Sequence, residues 1–179
     1  MHFIVLGAGA IGCYVGGRLA AHGQSVCLVG RPHALAPLQA YGLRVSDLDG
    51  FDRQVPATAM TLAHSLAQAA PGPDSVILLC VKSGATAAAA SELAAACAPG
   101  TPVISLQNGV DNVARIAALA PNLNVLAGMV PYNVVLRGTG YVAVTTDGPP
   151  VMLDVTQQAT FGDAQAVVLW SAGVQMNIK

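Results

Sequence analysis

Three glycines near the start of the chain have the spacing G-x-G-x-x-G, and the whole segment reads Gly7-Ala8-Gly9-Ala10-Ile11-Gly12. An apolar run precedes it and a helical pattern follows, which is the context that makes this motif informative. Gly7 permits a tight turn, Gly9 lets the backbone approach a pyrophosphate, and Gly12 lets a helix pack on a strand. Unpaired amides at the helix N-terminus would hold the phosphates. We therefore predict that all six residues contact a dinucleotide; the alternative is a glycine turn that binds nothing.

Arg31 follows the second apolar run, where Gly30 occupies the place at which folds that take NAD carry a carboxylate. A carboxylate would repel a 2′-phosphate by up to about 4 kcal/mol at ~4 Å and an effective dielectric of ~20, and by less where solvent screens it. Gly30 removes that repulsion, and the Arg31 guanidinium offers a forked donor. The expected cofactor is therefore NADP rather than NAD, and the missing acid also counts against FAD. The plainer alternatives are a solvated Arg31 and a surface His33.

Two later apolar runs end in polar residues, in the segments Val81-Lys82-Ser83 and Leu106-Gln107-Asn108-Gly109. Ligands of open α/β sheets gather beyond the carboxyl ends of the strands. Hydride delivery to a ketone leaves charge on oxygen, which requires a cationic or proton-donating neighbour, and Lys82 and Asn108 have that chemistry. Taken singly, Lys82 is explained equally well as a solvated lysine and Asn108-Gly109 as a plain turn.

The elements that must position these residues alternate between strand and helix. We predict strands at Phe3–Leu6, Ser25–Val29, Ser75–Val81, Val103–Leu106 and Asn124–Met129. Helices are predicted at Ala10–His22, Ala34–Gln39, Ser65–Ala70 and Thr86–Cys97. The core face of the first is marked by Ile11, Val15, Leu19 and Ala20, and that of a further helix by Val110, Val113, Ala114 and Ala117. The predicted fold class is α/β, a Rossmann-type open parallel sheet with flanking helices.

Two further features are predicted outside this alternation. Leu43–Ser46 and Gln54–Val55 flank Asp49-Gly50, which indicates a hairpin on the edge of the sheet. Beyond Val130 a C-terminal antiparallel extension is expected, with strands at Val134–Leu136, Tyr141–Thr145 and Val151–Leu153, a helix at Asp163–Ser171 and a last strand at Val174–Ile178.

Composition excludes several classes of function. With a net charge of −1 and scattered Lys and Arg, the chain has no basic stripe for nucleic acid. The apolar start has no Lys or Arg before it, unlike a signal peptide, and the charge-free stretch Ile116–Leu136 contains Pro and Asn, unlike a membrane span. The 4 cysteines lack C-x-x-C spacing, so we predict no metal site and expect a reducing cytoplasm.

Charged residues make up only 9% of the chain, against roughly 25% in ordinary soluble domains. Two explanations remain open. Either the many alanines simply raise the apolar count, or part of the surface is normally covered by another domain or subunit.

The motifs together resemble those of the ketopantoate reductase (2-dehydropantoate 2-reductase) family. The resemblance rests on GAGAIG at 7–12, Arg31, VKS at 81–83, LQNG at 106–109 and AGMVPYNVV at 127–135, and it covers essentially the whole chain. It implies NADPH-dependent reduction of the 2-oxo acid ketopantoate to pantoate, a step of pantothenate and coenzyme A biosynthesis. It also implies that Lys82 and Asn108 border the nicotinamide ribose and the substrate, and that Val134 lies near the same end of the cofactor.

One departure from the family's pattern concerns its principal acid, a lysine in a W-x-K-L motif on the first helix of a separate helical domain. The single tryptophan, Trp170, is followed by Ser171 and Ala172, so the motif is absent, and Lys179 ends a stretch that resembles the strand before that helix. We therefore expect residues 1–179 to form one NADP-binding domain that lacks the helical substrate and dimerisation domain and is nearly inactive alone. Exposed apolar residues around Val130–Leu136 then favour dimerisation or aggregation.

Two other functions remain open at this point. One is a stand-alone module that senses a dinucleotide without catalysis. The other is a related β-hydroxyacid dehydrogenase with a different substrate, which a cofactor domain by itself distinguishes poorly.

Overall fold

The computed structural model describes residues 1–135. Strands in this range are β1 His2–Leu6, β2 Ser25–Val29, β3 Leu43–Ser46, β4 Asp52–Val55, β5 Thr61–Ala63, β6 Ser75–Leu79, β7 Pro102–Ser105 and β8 Asn124–Ala127. The α-helices are α1 Ala10–Ala21, α2 Pro32–Tyr41, α3 Leu66–Ala69, α4 Thr86–Ala96 and α5 Asn112–Leu119. None of these helices is long and apolar enough to cross a membrane.

Six of the strands form one sheet in the order β5-β2-β1-β6-β7-β8, and every neighbouring pair is parallel. The chain starts in the middle, winds outward through β2 and β5, and returns to pair β6 with β1. The winding therefore reverses between β1 and β6, and sheets of this kind bind ligands in the crevice beyond the carboxyl ends of the strands at such a reversal. The predicted Rossmann-type open parallel sheet is confirmed.

Helices cover the sheet on two sides, and its central strands are apolar at every position after the first. Ile4 and Leu6 of β1 pack with side chains of α3, α4 and α5. The intervening Val5 packs on the opposite face with side chains of α1 and α2. Both faces of β1 are therefore buried, which holds the carboxyl end of this strand in a fixed place.

Helix α1 contacts the sheet mainly through small residues. Of the predicted apolar face, Ala20 is buried in the core, and Val15 and Leu19 pack against it. The buried residues of α1 are Gly12, Cys13, Gly16, Gly17 and Ala20. Ile11, Val15 and Leu19 are only partly buried. A Cβ at Gly16 would lie 2.6 Å from the Leu28 Cδ2, so the helix is too close to the sheet for larger side chains.

The hairpin β3-β4 forms where it was predicted, but it is not on the edge of the main sheet. It is a separate two-stranded antiparallel sheet, and its Val45 packs so close to α1 that a Cβ at Gly17 would lie 2.5 Å from the Val45 Cγ2. The edge beside β2 is β5 instead, a strand of 3 residues that was not predicted. Three residues are too few to show the alternation by which strands are recognised.

The face predicted for α5 was wrong in part. The helix buries Asn112 and Ile116, whereas Val110 is 94% exposed and Ala114 and Ala117 are exposed. Val113, the fourth residue of the predicted face, is partly buried. The buried side of the helix is therefore displaced from the predicted face, and a polar side chain, Asn112, occupies one of its inward positions.

The predicted C-terminal elements lie almost wholly outside the described residues. Val134 and Val135 have no regular secondary structure. Leu136 and the predictions for Tyr141–Thr145, Val151–Leu153, Asp163–Ser171 and Val174–Ile178 fall beyond residue 135 and stay predictions.

The hairpin turn is attached to α1 by an ion pair between Arg18 and Asp47. The Arg18 guanidinium also stacks on the Phe51 ring, 4.0 Å from its centroid. The backbone amides of Phe51 and Asp49 donate to Asp47 Oδ1 at 2.9 and 3.0 Å. The hydrogen bond from Phe51, together with those from Arg18 and Asp49, lowers the pKa of the Asp47 carboxyl.

Asp47→Ala is expected to lower the melting temperature at about pH 7, and the difference from the wild type should shrink in acid. Folding lowers the pKa of Asp47, so this carboxylate stabilises the folded state at pH values above the ordinary Asp pKa of about 3.9. That stabilisation is lost as the pH falls through the folded-state pKa. Differential scanning calorimetry across this pH range measures the effect, with Asp49→Ala as the control from the same turn. A difference that persists undiminished at low pH would contradict the assignment.

Candidate functional site

The glycine turn lies between β1 and α1, at the crevice. Gly7 has φ +116°, in the region that favours glycine. A Cβ at Gly7 would lie 2.9 Å from both the Cys80 carbonyl carbon and the Val81 nitrogen. The turn is held on its other side by hydrogen bonds from the Gly7 and Ala8 amides to the Val29 carbonyl, at 2.9 and 3.1 Å. The ends of β1, β2 and β6 therefore meet at this turn.

The residues at the start of α1 leave its first amides accessible. Gly9 is the N-cap, no side chain caps the helix, and its first turn has no acidic residue. No atom in the described part of the chain would lie within 4 Å of a Cβ at Gly9. At Gly12, in contrast, a Cβ would overlap the Gly7 carbonyl oxygen. A closed turn beside an open helix N-terminus matches what a bound pyrophosphate requires.

The end of β2 brings Arg31 next to the glycine turn. A Cβ at Gly30 would lie 2.8 Å from the Ala8 Cβ, so these two backbones are in close contact. Arg31 is exposed and precedes α2, whose first turn has no acidic residue. The structure thus adds a steric reason for Gly30 to the electrostatic reason found in the sequence.

Lys82 and Asn108 lie at the same edge of the sheet as Gly7. The strand ends stay in register, because the Cys80 amide donates to the Leu6 carbonyl at 2.8 Å and the Leu106 amide donates to the Leu79 carbonyl at 2.9 Å. Beyond them, the Ser83 hydroxyl donates to the Asn108 carbonyl at 2.8 Å. Lys82 and Asn108 themselves are exposed. The turns that carry them therefore touch, one strand away from the glycine turn.

Three buried polar residues behind these turns were missed by the sequence analysis as contributors to the site. Thr86, Gln107 and Asn112 are 0%, 9% and 4% exposed, and their side chains are joined through Thr86. Gln107 was predicted only as part of the segment Leu106-Gln107-Asn108-Gly109, with no role of its own. The available signal was the presence of polar side chains at the starts of two helices and immediately after a buried strand.

Val134 is not brought to the strand ends by any hydrogen bond or ring contact in residues 1–135. It is partly buried, and Tyr132, two residues earlier, packs edge-on against Tyr14 of α1 with ring centroids 5.3 Å apart. Its expected place near the nicotinamide stays a prediction.

Nucleophilic and metal chemistry find little support in the described residues. Burial raises the pKa of the Cys80 thiol to about 12 and also raises the pKa of Cys13 and Cys27. No group of three His, Cys, Asp or Glu side chains comes together there as a metal site would require. The groups that remain are backbone amides, a guanidinium, an ammonium and a carboxamide, which bind anions and donate hydrogen bonds.

The fold and this arrangement of donors are those of a Rossmann-type dinucleotide-binding domain. The family described as ketopantoate reductase PanE/ApbA matches residues 3–155. The chain belongs to the ketopantoate reductase family.

Two archaeal 2-dehydropantoate 2-reductases illustrate the similarity. The protein of Halobacterium salinarum is 34% identical over 143 residues, which are 79% of this chain and 45% of the relative. That of Pyrococcus horikoshii is 34% identical over 144 residues, 79% of this chain and 44% of the relative. The chain thus spans about half the length of the curated relatives it matches.

Solved structures agree on the fold. A PanE/ApbA family ketopantoate reductase from Ralstonia eutropha is 38% identical with a TM-score of 0.62, covering 71% of this chain and 40% of that one. The structure of D-mandelate dehydrogenase with NADH and anilino(oxo)acetate is 22% identical with a TM-score of 0.59. The match covers 77% of this chain and 43% of that one, and it shows that the two share the fold.

Gly9→Ala is expected to weaken binding with little change in stability, whereas Gly12→Ala is expected to lower stability. The extended backbone of Gly9 accepts alanine, so its stability should change by less than about 1 kcal/mol, while the added methyl group blocks the approach of a pyrophosphate and weakens NADPH about tenfold or more. Gly12→Ala should cost about 1–3 kcal/mol, because its methyl group overlaps the turn. Thermal unfolding and NADPH fluorescence titration measure both; a Gly9→Ala variant with unchanged affinity would contradict the site.

Proposed function

We propose that this chain is the cofactor-binding half of an NADPH-dependent enzyme that reduces a 2-oxo acid, ketopantoate, to the 2-hydroxy acid pantoate. One observation carries the proposal. The glycine turn and the turns bearing Lys82 and Asn108 adjoin one another at the carboxyl ends of β1, β6 and β7, in a chain whose relatives are 2-dehydropantoate 2-reductases.

The choice of NADP over NAD is supported by charge. Arg31 is an exposed cation beside the glycine turn, and the position that would carry the ribose-binding acid is Gly30. The fold alone does not decide between the two cofactors, because D-mandelate dehydrogenase shares it in a structure with NADH. We propose that the guanidinium of Arg31 binds the 2′-phosphate, while the amides at the start of α1 bind the pyrophosphate.

NADPH, when bound, supplies the hydride. The residues of this chain are proposed to bind the cofactor, to orient the 2-oxo acid and to donate hydrogen bonds to its oxygens. In the proposed arrangement the Lys82 ammonium and the Asn108 amide border the nicotinamide ribose and face the 2-oxo acid, whose carbonyl oxygen gains charge and whose carboxylate already carries it. Both groups offer N–H donors to such oxygens. The principal proton donor is proposed to come from the helical domain of the family.

A covering domain is also proposed for the apolar surface that follows β7. Leu126 is 47% exposed, Met129 84% and Val135 75%, and the chain as a whole has only 9% charged residues. We propose that a helical domain, or a second copy of the protein, buries these side chains. The proposed compartment is the cytoplasm, where the chain's thiols would stay reduced.

Arg31→Ala is expected to weaken the binding of NADPH by about tenfold, which corresponds to about a third of the interaction energy of two unit charges ~4 Å apart at an effective dielectric of ~20. The affinity for NADH, which has no 2′-phosphate, is expected to change by less than about twofold. Isothermal titration calorimetry with each cofactor measures the two dissociation constants.

The matched control is Arg115→Ala, which removes the same charge from the exposed surface of α5 and should leave both affinities unchanged. Equal weakening of NADPH and NADH by Arg31→Ala would refute the assignment of the 2′-phosphate site. A wild-type chain that binds neither cofactor would refute the proposed function.

A further inference from the structure

We infer that Thr86, Gln107 and Asn112 are positioning residues, which together hold the Lys82 and Asn108 turns at one separation for the nicotinamide end of the cofactor. These three residues are called the polar clamp. The inference rests on the proposed function and adds to it a set of residues that never touch the ligand.

Thr86 is the centre of the polar clamp. It is the first residue of α4 and has no exposed surface. Its Oγ1 accepts a hydrogen bond from Gln107 Nε2 at 2.9 Å. The same oxygen lies 2.8 Å from the Ser83 carbonyl and 2.9 Å from Asn112 Oδ1, and its single proton is donated to one of these two acceptors. The hydroxyl group is therefore bonded to Gln107, which follows β7, and to one further group, either the Ser83 carbonyl after Lys82 or Asn112 of α5.

Gln107 connects the ends of β6 and β7. Its Nε2 donates both protons, one to the Val81 carbonyl at 3.0 Å and one to Thr86. Its Oε1 accepts from the Ser105 hydroxyl at 3.1 Å. The carbonyl that it binds belongs to the residue immediately before Lys82, so Gln107 fixes the backbone from which the Lys82 side chain departs.

Asn112 performs the corresponding role from α5. Its Nδ2 donates to the Asn108 carbonyl at 2.8 Å and lies 3.3 Å from the Ser83 Oγ. Asn108 therefore has its backbone held by Asn112 and by Ser83 at the same oxygen, while its own side chain remains exposed.

The hydrogen bonds show why the polar clamp positions rather than binds. No buried side-chain nitrogen or oxygen in residues 1–135 lacks a partner. Both protons of Gln107 Nε2 and the single proton of Thr86 Oγ1 are donated to protein acceptors, so neither group is free to bind a ligand. Its bonds end on backbone oxygens of the two turns that carry the exposed Lys82 and Asn108. A buried network with every member satisfied is rigid, and loss of one member leaves its partners unpaired at a cost to that geometry.

The test compares two ligands on the same 179-residue chain. NADPH spans the whole proposed site, whereas adenosine 2′,5′-bisphosphate reaches only the end near Arg31. Thr86→Val keeps the shape of the side chain and removes its hydroxyl group. We expect it to weaken NADPH about tenfold and the bisphosphate by less than about twofold, and we expect Thr86→Ser, which restores the hydroxyl group, to recover NADPH binding.

Asn112→Ala provides a second variant with the same expected split between the two ligands, in case Thr86→Val does not fold. Hydrogen exchange at the amides of 82–84 and 108–110 should accelerate in both variants while exchange in β1 is retained. Equal weakening of both ligands, or unchanged NADPH binding, would overturn the positioning role while the proposed function stands. A wild-type chain that binds neither NADPH nor the bisphosphate would overturn the proposed function and this inference with it.

Discussion

The contact between Gly7 and the peptide that joins Cys80 to Val81 is the constraint on which the rest of the site depends. A Cβ at Gly7 would lie 2.9 Å from both sides of that peptide, and φ of +116° favours glycine there. Because β1 and β6 are the strands where the winding of the sheet reverses, this contact joins its two halves. It sets the glycine turn directly beside the segment that leads to Lys82.

The two ends of the proposed dinucleotide site are built from different interactions. At the end near Arg31 the donor is an exposed guanidinium in a short connection between β2 and α2, where solvent screens its charge. At the other end the exposed Lys82 and Asn108 stand on turns held by buried amide and hydroxyl groups. In the proposed site, charge is the basis of ligand discrimination at one end, and a rigid backbone is the basis of ligand orientation at the other.

In the proposed enzyme, this chain supplies the cofactor site and a helical domain of the family supplies the principal acid. The site in residues 1–135 offers donors for phosphates and for developing negative charge, and burial raises the pKa of the Cys80 and Cys13 thiols. The relatives are about twice as long as the matched region. We propose that the other half of such an enzyme covers part of this chain, in which only 9% of the residues are charged.

The sequence by itself determined the alternation of strands and helices, the glycine turn, and the positions of Arg31, Lys82 and Asn108 at strand ends, since each of these follows from residues close together in the chain. Only the tertiary structure decided which faces are buried. Helix α1 packs on the sheet through glycines because the two lie close together. The hairpin packs on α1 and does not join the edge of the main sheet. Thr86, Gln107 and Asn112 became recognisable as one network only after folding, because their hydrogen bonds join residues 21 to 26 positions apart, a separation at which no local pattern carries a signal.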